Sequence, residues 1–300
     1  MFNIKTLVAA LAFFVAPCLA QAANPPVQIA ASISILGDIA AQIGGQVVSV
    51  QSLVGPGQDA HTFQPAPDQA KMLSKADLIV INGLRLEGWM DRLIQASGTK
   101  AKLTVASAGL KPRQMEDDEA ETKGAMVLDP HAWQDPRNGA LYARNIAAAI
   151  IQLRPEAKED VEARLKSYLL ELKTIDANAH KVFDAVPVAQ RKIITSHDAF
   201  GYMAAAYGLT VMAPVGLSTE AEPSAADVAK LINQIRKEKV HTVFIENMSD
   251  PRLIRQIAKD SGAKVGGELY ADSLSPANGD APSYLALLRH NIKLLGDSLR

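Results

Sequence analysis

Three of the six histidines stand in short polar segments suited to presenting an imidazole: Asp59-Ala60-His61-Thr62-Phe63, Asp129-Pro130-His131-Ala132-Trp133 and Thr195-Ser196-His197-Asp198-Ala199-Phe200. A fourth turn, Tyr270-Ala271-Asp272-Ser273, offers a carboxylate. Three neutral imidazoles and one carboxylate make a complete ligand set for a transition-metal ion such as zinc. About seventy residues separate successive candidates, so no local loop can assemble the site; only a folded, two-part chain can. Asp59, Asp129 and Asp198 lie one or two residues from their histidines and are candidates to pin those loops, while Glu246 is a candidate partner or an extra ligand. Such carboxylates take the second ring N–H of a ligating imidazole and fix its tautomer. His180, His241 and His290 lack these surroundings and are read as ordinary helix and strand residues.

Other chemistries fit less well. The chain has no His-Glu-x-x-His pair and no Gly-x-Ser-x-Gly elbow. Four protein ligands would close a zinc shell, whereas catalytic zinc keeps a position open for water. The single cysteine, Cys18, falls in an apolar leader, so the mature chain has no thiolate or disulfide chemistry. The expectation is a binding protein, not an enzyme.

That leader has the form of an export signal: Lys5, an apolar stretch over 6–19, then Ala20-Gln21-Ala22 as a small-x-small cleavage site. The stretch is shorter than the roughly 20 residues a membrane span requires. Acylation of Cys18 is the alternative, disfavoured by Pro17 before it and Leu19 after it. Cleavage after Ala22 leaves 278 of 300 residues and moves the formal net charge from -1 to -2. The expected location is the periplasm. A charge so near neutral gives no footing for nucleic acid or a membrane surface.

The elements that must position the four candidates alternate, the mark of an α/β architecture. Strands are expected over 27–35, 47–54, 78–81 and 102–105, with helices over 36–43, 66–76 and 137–153. The pattern restarts with strands over 192–195, 209–213, 241–245 and 264–266, and helices over 200–207, 223–237, 250–261 and 283–295. Between them, 156–186 has no Gly or Pro, and Val161, Leu165, Tyr168, Leu169, Leu172 and Ile175 recur at helical steps. At ~1.5 Å per residue this helix runs on the order of 40 Å, long enough to join two lobes. The expected organisation is a signal peptide (1–22), an N-terminal metal-binding lobe (23–155), a linking helix (156–187) and a C-terminal metal-binding lobe (188–300). Each lobe has a central, mostly parallel sheet flanked by helices around its own core. Ligands in such sheets sit beyond the carboxyl ends of strands. His61 and His131 would therefore come from one side of a cleft, and His197 and Asp272 from the other. Residues 115–123 carry Glu116, Asp117, Asp118, Glu119 and Glu121 and read as a mobile acidic loop, either simply solvated or gathering cations near the site.

Five segments carry a resemblance: Gly57-Gln58-Asp59-Ala60-His61-Thr62-Phe63-Gln64-Pro65; Asn82-Gly83-Leu84 with Glu87-Gly88-Trp89; Asp129-Pro130-His131-Ala132-Trp133; Ser196-His197-Asp198-Ala199-Phe200-Gly201-Tyr202; and Tyr270-Ala271-Asp272-Ser273-Leu274-Ser275. Together they resemble the metal-binding solute-binding proteins of ABC transporters, the periplasmic or lipid-anchored zinc and manganese receptors. The resemblance covers essentially all of 27–299. It implies two α/β lobes joined by one rigid helix, with His61, His131, His197 and Asp272 as ligands. Two departures pull in opposite directions. The histidine-rich stretch of many zinc receptors is replaced here by the acidic segment, whereas the third ligand is His197 where manganese receptors commonly place glutamate. Irving–Williams preference and three imidazoles favour zinc, with manganese as the alternative. The function implied is an exported, monomeric, high-affinity receptor delivering zinc to the membrane permease of an ABC importer. A periplasmic metallochaperone passing zinc to an acceptor protein is the other reading. A rigid linking helix further implies that movement concentrates in the loops around His131 and His197 and in the acidic segment.

Overall fold

The computed structural model describes residues 24–116, 126–216, 219 and 223–300, so the expected leader, Cys18 and residues 117–123 of the acidic segment lie outside the described residues. The first sheet comprises β1 (Val27–Ile33), β2 (Val48–Val54), β3 (Leu78–Ile81) and β4 (Lys102–Val105), all parallel in the order β2-β1-β3-β4. β1 is buried at every position but Gln28, the near-continuous apolar run of a strand covered on both faces. Helices α1 (Ser34–Gly44), α2 (Pro67–Ser74), α3 (Met90–Ser97) and α4 (Pro136–Leu153) follow its strands. Asp135 caps α4 by accepting the Arg137 N–H at 2.8 Å, with Pro136 as the first helical residue.

The second sheet repeats the plan with β7 (Lys192–Ile194), β8 (Thr210–Met212), β9 (Thr242–Glu246) and β10 (Lys264–Leu269), again parallel, in the order β10-β9-β7-β8. Helices α6 (Gly201–Tyr207), α7 (Ala225–Glu238), α8 (Pro251–Ser261) and α9 (Tyr284–Ser298) accompany it. The linking helix α5 (Lys158–Asp184) spans 27 residues after one 3-10 turn, Pro155–Ala157. The chain is thus an α/β fold of two lobes joined by one long helix, as expected.

Three features differ from the sequence expectation. A short antiparallel hairpin, β5 (Gln114–Glu116) with β6 (Met126–Leu128), brackets the acidic segment and takes up its first two residues, so Met115 and Glu116 are strand and not loop. Helix α3 has only two turns, too few for its periodicity to stand out. β10 runs three residues past Gly266 because a register shift between Val265 and Glu268 absorbs Gly266-Gly267, with Gly267 at φ +132°. That extension carries the chain toward Asp272.

The core is also less divided than expected. One cluster runs from the first sheet through α4, α5, α6 and α9 to Ile193, Phe244 and Leu269 of the second sheet. A separate cluster of Ile194, Leu231, Ile235, Val243, Ile254 and Ile257 lies under α7 and α8. The buried face of α5 (Val161, Tyr168, Leu172, Ile175, Ala179 and Phe183) is therefore part of the main core, not a bare strut. Among the described residues no helix is long and apolar enough to cross a membrane. Leu172→Ala is expected to cost ~2–5 kcal/mol in urea unfolding, the range for a buried leucine. A loss within ~0.5 kcal/mol, the surface value, would make α5 a mere spacer.

Candidate metal centre

Both sheets reverse their winding at the strands nearest the cleft, β1/β3 in the first and β7/β9 in the second. Such switch points open a crevice at the carboxyl ends of the strands. His197 lies three residues beyond β7 and continues the sheet through a parallel bridge to Val215. Glu246 is the last residue of β9. Its carboxylate accepts the backbone N–H of Ser196 at 2.8 Å and of His197 at 3.1 Å, and it bonds to His197 Nδ1. The ring is thereby turned so that Nε2 faces the cleft. Asp198, the sequence-adjacent candidate, does not hold this ring; it is half-buried, and burial raises its carboxyl pKa. Consecutive side chains diverge, so the partner comes from the neighbouring strand.

His131 follows the hairpin. Asp129 Oδ1 accepts its backbone N–H at 3.0 Å and lies 2.9 Å from its Nδ1. Asn82 at the end of β3 donates to the Pro130 carbonyl at 3.0 Å, and its own amide oxygen accepts from Tyr142 at 2.5 Å. Glu87 Oε1 accepts from Asn82 N and from Ser32 Oγ, both at 2.6 Å. Past His131, Trp133 Nε1 and Gln134 Nε2 cross the cleft, each donating to the Ala271 carbonyl at 2.8 Å. The segment carrying Asp272 is held from its other side by Asn291, which accepts from Tyr270 N at 3.0 Å and donates to its carbonyl at 2.7 Å. The His131 segment is therefore tied from both sides of the cleft. Sequence reasoning gave no role to Asn82, Glu87, Trp133, Gln134 or Asn291; the first three stood inside the family motifs.

His61 follows β2. Asp59 Oδ1 accepts its backbone N–H at 2.8 Å, so Asp59 pins the loop and not the ring. Trp89 Nε1 holds the Ala60 carbonyl at 3.1 Å.

The four candidates converge, their ligand atoms all within 4.8 Å of one another. His131 Nε2 lies 3.2 Å from His61 Nε2 and 3.4 Å from His197 Nε2. Asp272 Oδ2 is 3.2 Å from both His61 and His197 Nε2, and Oδ1 is 3.5 Å from His131 Nε2. His131, His197 and Asp272 are all but fully buried, and the His61 side chain is 8% exposed, marking the solvent side. Both Asp272 oxygens are buried, each within 3.5 Å of a ring nitrogen. These four side chains could hold a divalent cation. The other histidines lie elsewhere: His180 pairs with Asp184 on α5, His241 is exposed beside β9, and His290 Nε2 lies 2.9 Å from the Glu268 carbonyl.

Burial alone would depress the His197 pKa, but the carboxylates of Glu246 and Asp272 outweigh it and hold it well above the imidazole range. Burial would likewise raise the Asp272 carboxyl, yet the His131 and His197 rings hold it well below the carboxylate range. These carboxylates therefore favour the protonated form of His197, and the rings favour the ionised form of Asp272.

The fold and cleft have known counterparts. A family model described as zinc-uptake complex component A, periplasmic, matches residues 29–297. The manganese ABC transporter substrate-binding lipoprotein scaA of Streptococcus gordonii is 30% identical over 285 residues, 93% of this chain and 91% of that protein. The iron-binding protein YfeA of Yersinia pestis is 31% identical over 265 residues, 88% and 84% of the two chains. Among solved structures, the periplasmic zinc binding protein TroA of Treponema pallidum superposes with a TM-score of 0.85 at 26% identity, covering 91% of this chain and 99% of that one.

Two measurements check this electrostatic arrangement. Glu246→Gln removes the charge behind His197 and is expected to weaken metal affinity ~10–100-fold by isothermal titration; unchanged affinity would remove Glu246 from the site. In metal-free protein, the raised His197 pKa contributes stability in full below the unfolded value of about 6.5, lost as pH rises through the folded value. Metal must displace that proton, so affinity should climb with pH, about tenfold per unit while His197 titrates. Titrations in buffers of different ionisation enthalpy read the released proton directly. No release at pH 7 would contradict the protonated ring.

Proposed function

We propose a function from one premise: the chain belongs to the family of periplasmic zinc-uptake component A proteins, substrate-binding proteins of metal ABC transporters. These are receptors that work with a membrane permease and its ATPase, not enzymes. Within that family we read this chain as an exported, monomeric receptor that binds zinc through His61, His131, His197 and Asp272 and delivers it to the permease. The lobes that close on the ion are taken as 23–155 and 188–300, with 156–187 between them.

One observation carries the choice of ion. Bonds of ~2.0–2.1 Å in a tetrahedral zinc shell put ligand atoms ~3.3–3.4 Å apart. Five contacts among the ring nitrogens and the Asp272 oxygens measure 3.2–3.5 Å, and the four ligand atoms all lie within 4.8 Å of one another. Three nitrogen donors add the Irving–Williams preference for zinc over manganese. A second reading, manganese, draws on Asp272: both its oxygens face the rings, and a bidentate carboxylate would widen the shell toward the oxygen-rich coordination that ion prefers. The manganese name carried by the scaA relative supports the same reading.

For location, we propose export with cleavage after Ala22. The lipoprotein name of scaA supports the alternative, anchoring through Cys18. The mass of the mature protein separates the two: a chain starting at Ala23 is expected, and a diacylated Cys18 would overturn the soluble form.

Native mass spectrometry with zinc and manganese offered in equal amounts tests the ion. One zinc per chain is expected, with His131→Ala and Asp272→Asn each losing it and His197→Glu shifting occupancy toward manganese. Manganese occupancy of the unmodified chain would reverse the assignment.

A further inference from the structure

The β5–β6 hairpin is rooted in the carboxylate that orients His131. Arg113 precedes β5, Asp129 follows β6, and the Asp129 N–H donates to the Arg113 carbonyl at 3.1 Å. Asp129 Oδ1 is engaged with His131. Its Oδ2 is buried with no hydrogen bond, and the equally buried, unpartnered Arg113 Nε stands 3.6 Å away. A buried carboxylate needs a countercharge close by, or it draws in water or swings toward it. Arg113 supplies that charge from the side away from the ring.

This pair is seated on the opposite lobe. The Tyr202 hydroxyl at the start of α6 accepts the Arg113 backbone N–H at 2.9 Å and donates to the Asp129 carbonyl at 3.1 Å. The guanidinium carbon lies 5.7 Å from the centroid of the Tyr202 ring, within cation–π range. Gly201 allows the approach: a Cβ there would stand 2.8 Å from Asp129 Oδ2 and 3.2 Å from Arg113 Nε. Tyr202 is five residues beyond His197 on the same short segment. The hairpin foot therefore ties the His131 side of the cleft to the His197 side without touching either imidazole through Arg113 or Tyr202.

We infer that Arg113 and Tyr202 are positioning residues: their clasp with Asp129 holds the His131 and His197 ligands in register across the cleft and sets how fast the bound metal ion leaves. The inference rests on the proposed ligand set.

The test is the rate of zinc release into excess chelator, followed by stopped flow on the full mature chain, with folding checked by circular dichroism. Arg113→Ala is expected to release zinc about tenfold faster, at the lower end of the effect of outer-shell partners. Arg113→Lys, which keeps a cation, should restore most of the slow rate. Tyr202→Phe keeps the ring but loses both hydroxyl bonds and should also speed release. The double variant should be slower than the product of the single effects, because both residues serve one clasp. Wild-type release rates in folded Arg113→Ala, or in Tyr202→Phe if the alanine variant does not fold, would overturn the inference. Strict multiplicativity of the two effects would overturn the clasp as a unit. Failure of the unmodified protein to hold zinc would instead strike the ligand assignment itself, and this inference with it.

Discussion

The structure turns on the carboxylate of Asp272, which is buried and faces three imidazole nitrogens at 3.2–3.5 Å. An ionised carboxylate in that position costs several kcal/mol unless a positive charge stands beside it. A proton on His197, which the carboxylates favour, supplies part of that charge. Two further carboxylates, Asp129 against His131 and Glu246 against His197, deepen the negative potential. A dication offsets more of it than a proton does, so ion and proton compete for one small volume. Selectivity for charge follows from this surplus, and selectivity among metals from the spacing of the donors.

The remainder of the fold keeps those donors close while their strands belong to two different sheets. Hydrogen bonds cross the cleft in several places: Trp133 and Gln134 to the Ala271 carbonyl, Leu274 N to Ser34 Oγ at 3.0 Å, and Gly57 N to the Leu274 carbonyl at 3.1 Å. With α5 and α9 packed together in the shared core, these bonds hold the two halves against each other. His61 is the exception, at the solvent edge of the cluster. A cavity of about 610 Å³ lined by Asp59, His197, Thr219 and Met248 opens on the His197 side of the cluster.

Much of this was legible in the chain. The alternating cadence, the long uninterrupted helix and four polar turns beyond strands led to the two-lobed fold and to the quartet that the structure brings together. The errors have physical causes. The sequence offered both Asp198 and Glu246 as supports of His197; partners across a sheet are set by strand order, which places Glu246 there and leaves Asp198 aside. Gly266-Gly267 reads as a strand end, yet a bulge lets β10 continue to Leu269. The hairpin β5–β6 has three residues per strand, too short for alternation to show, and its two edges border the acidic run that dominates the pattern. Sequence separated the halves into two cores because it registers periodicity along the chain and not the return of α9 onto α5.

X-ray absorption at the zinc edge of the loaded protein tests the central claim most directly. The account predicts four nitrogen and oxygen donors at ~2.0–2.1 Å with the outer-shell scattering of three imidazoles. A shell of six oxygens, or one with a single imidazole, would contradict it.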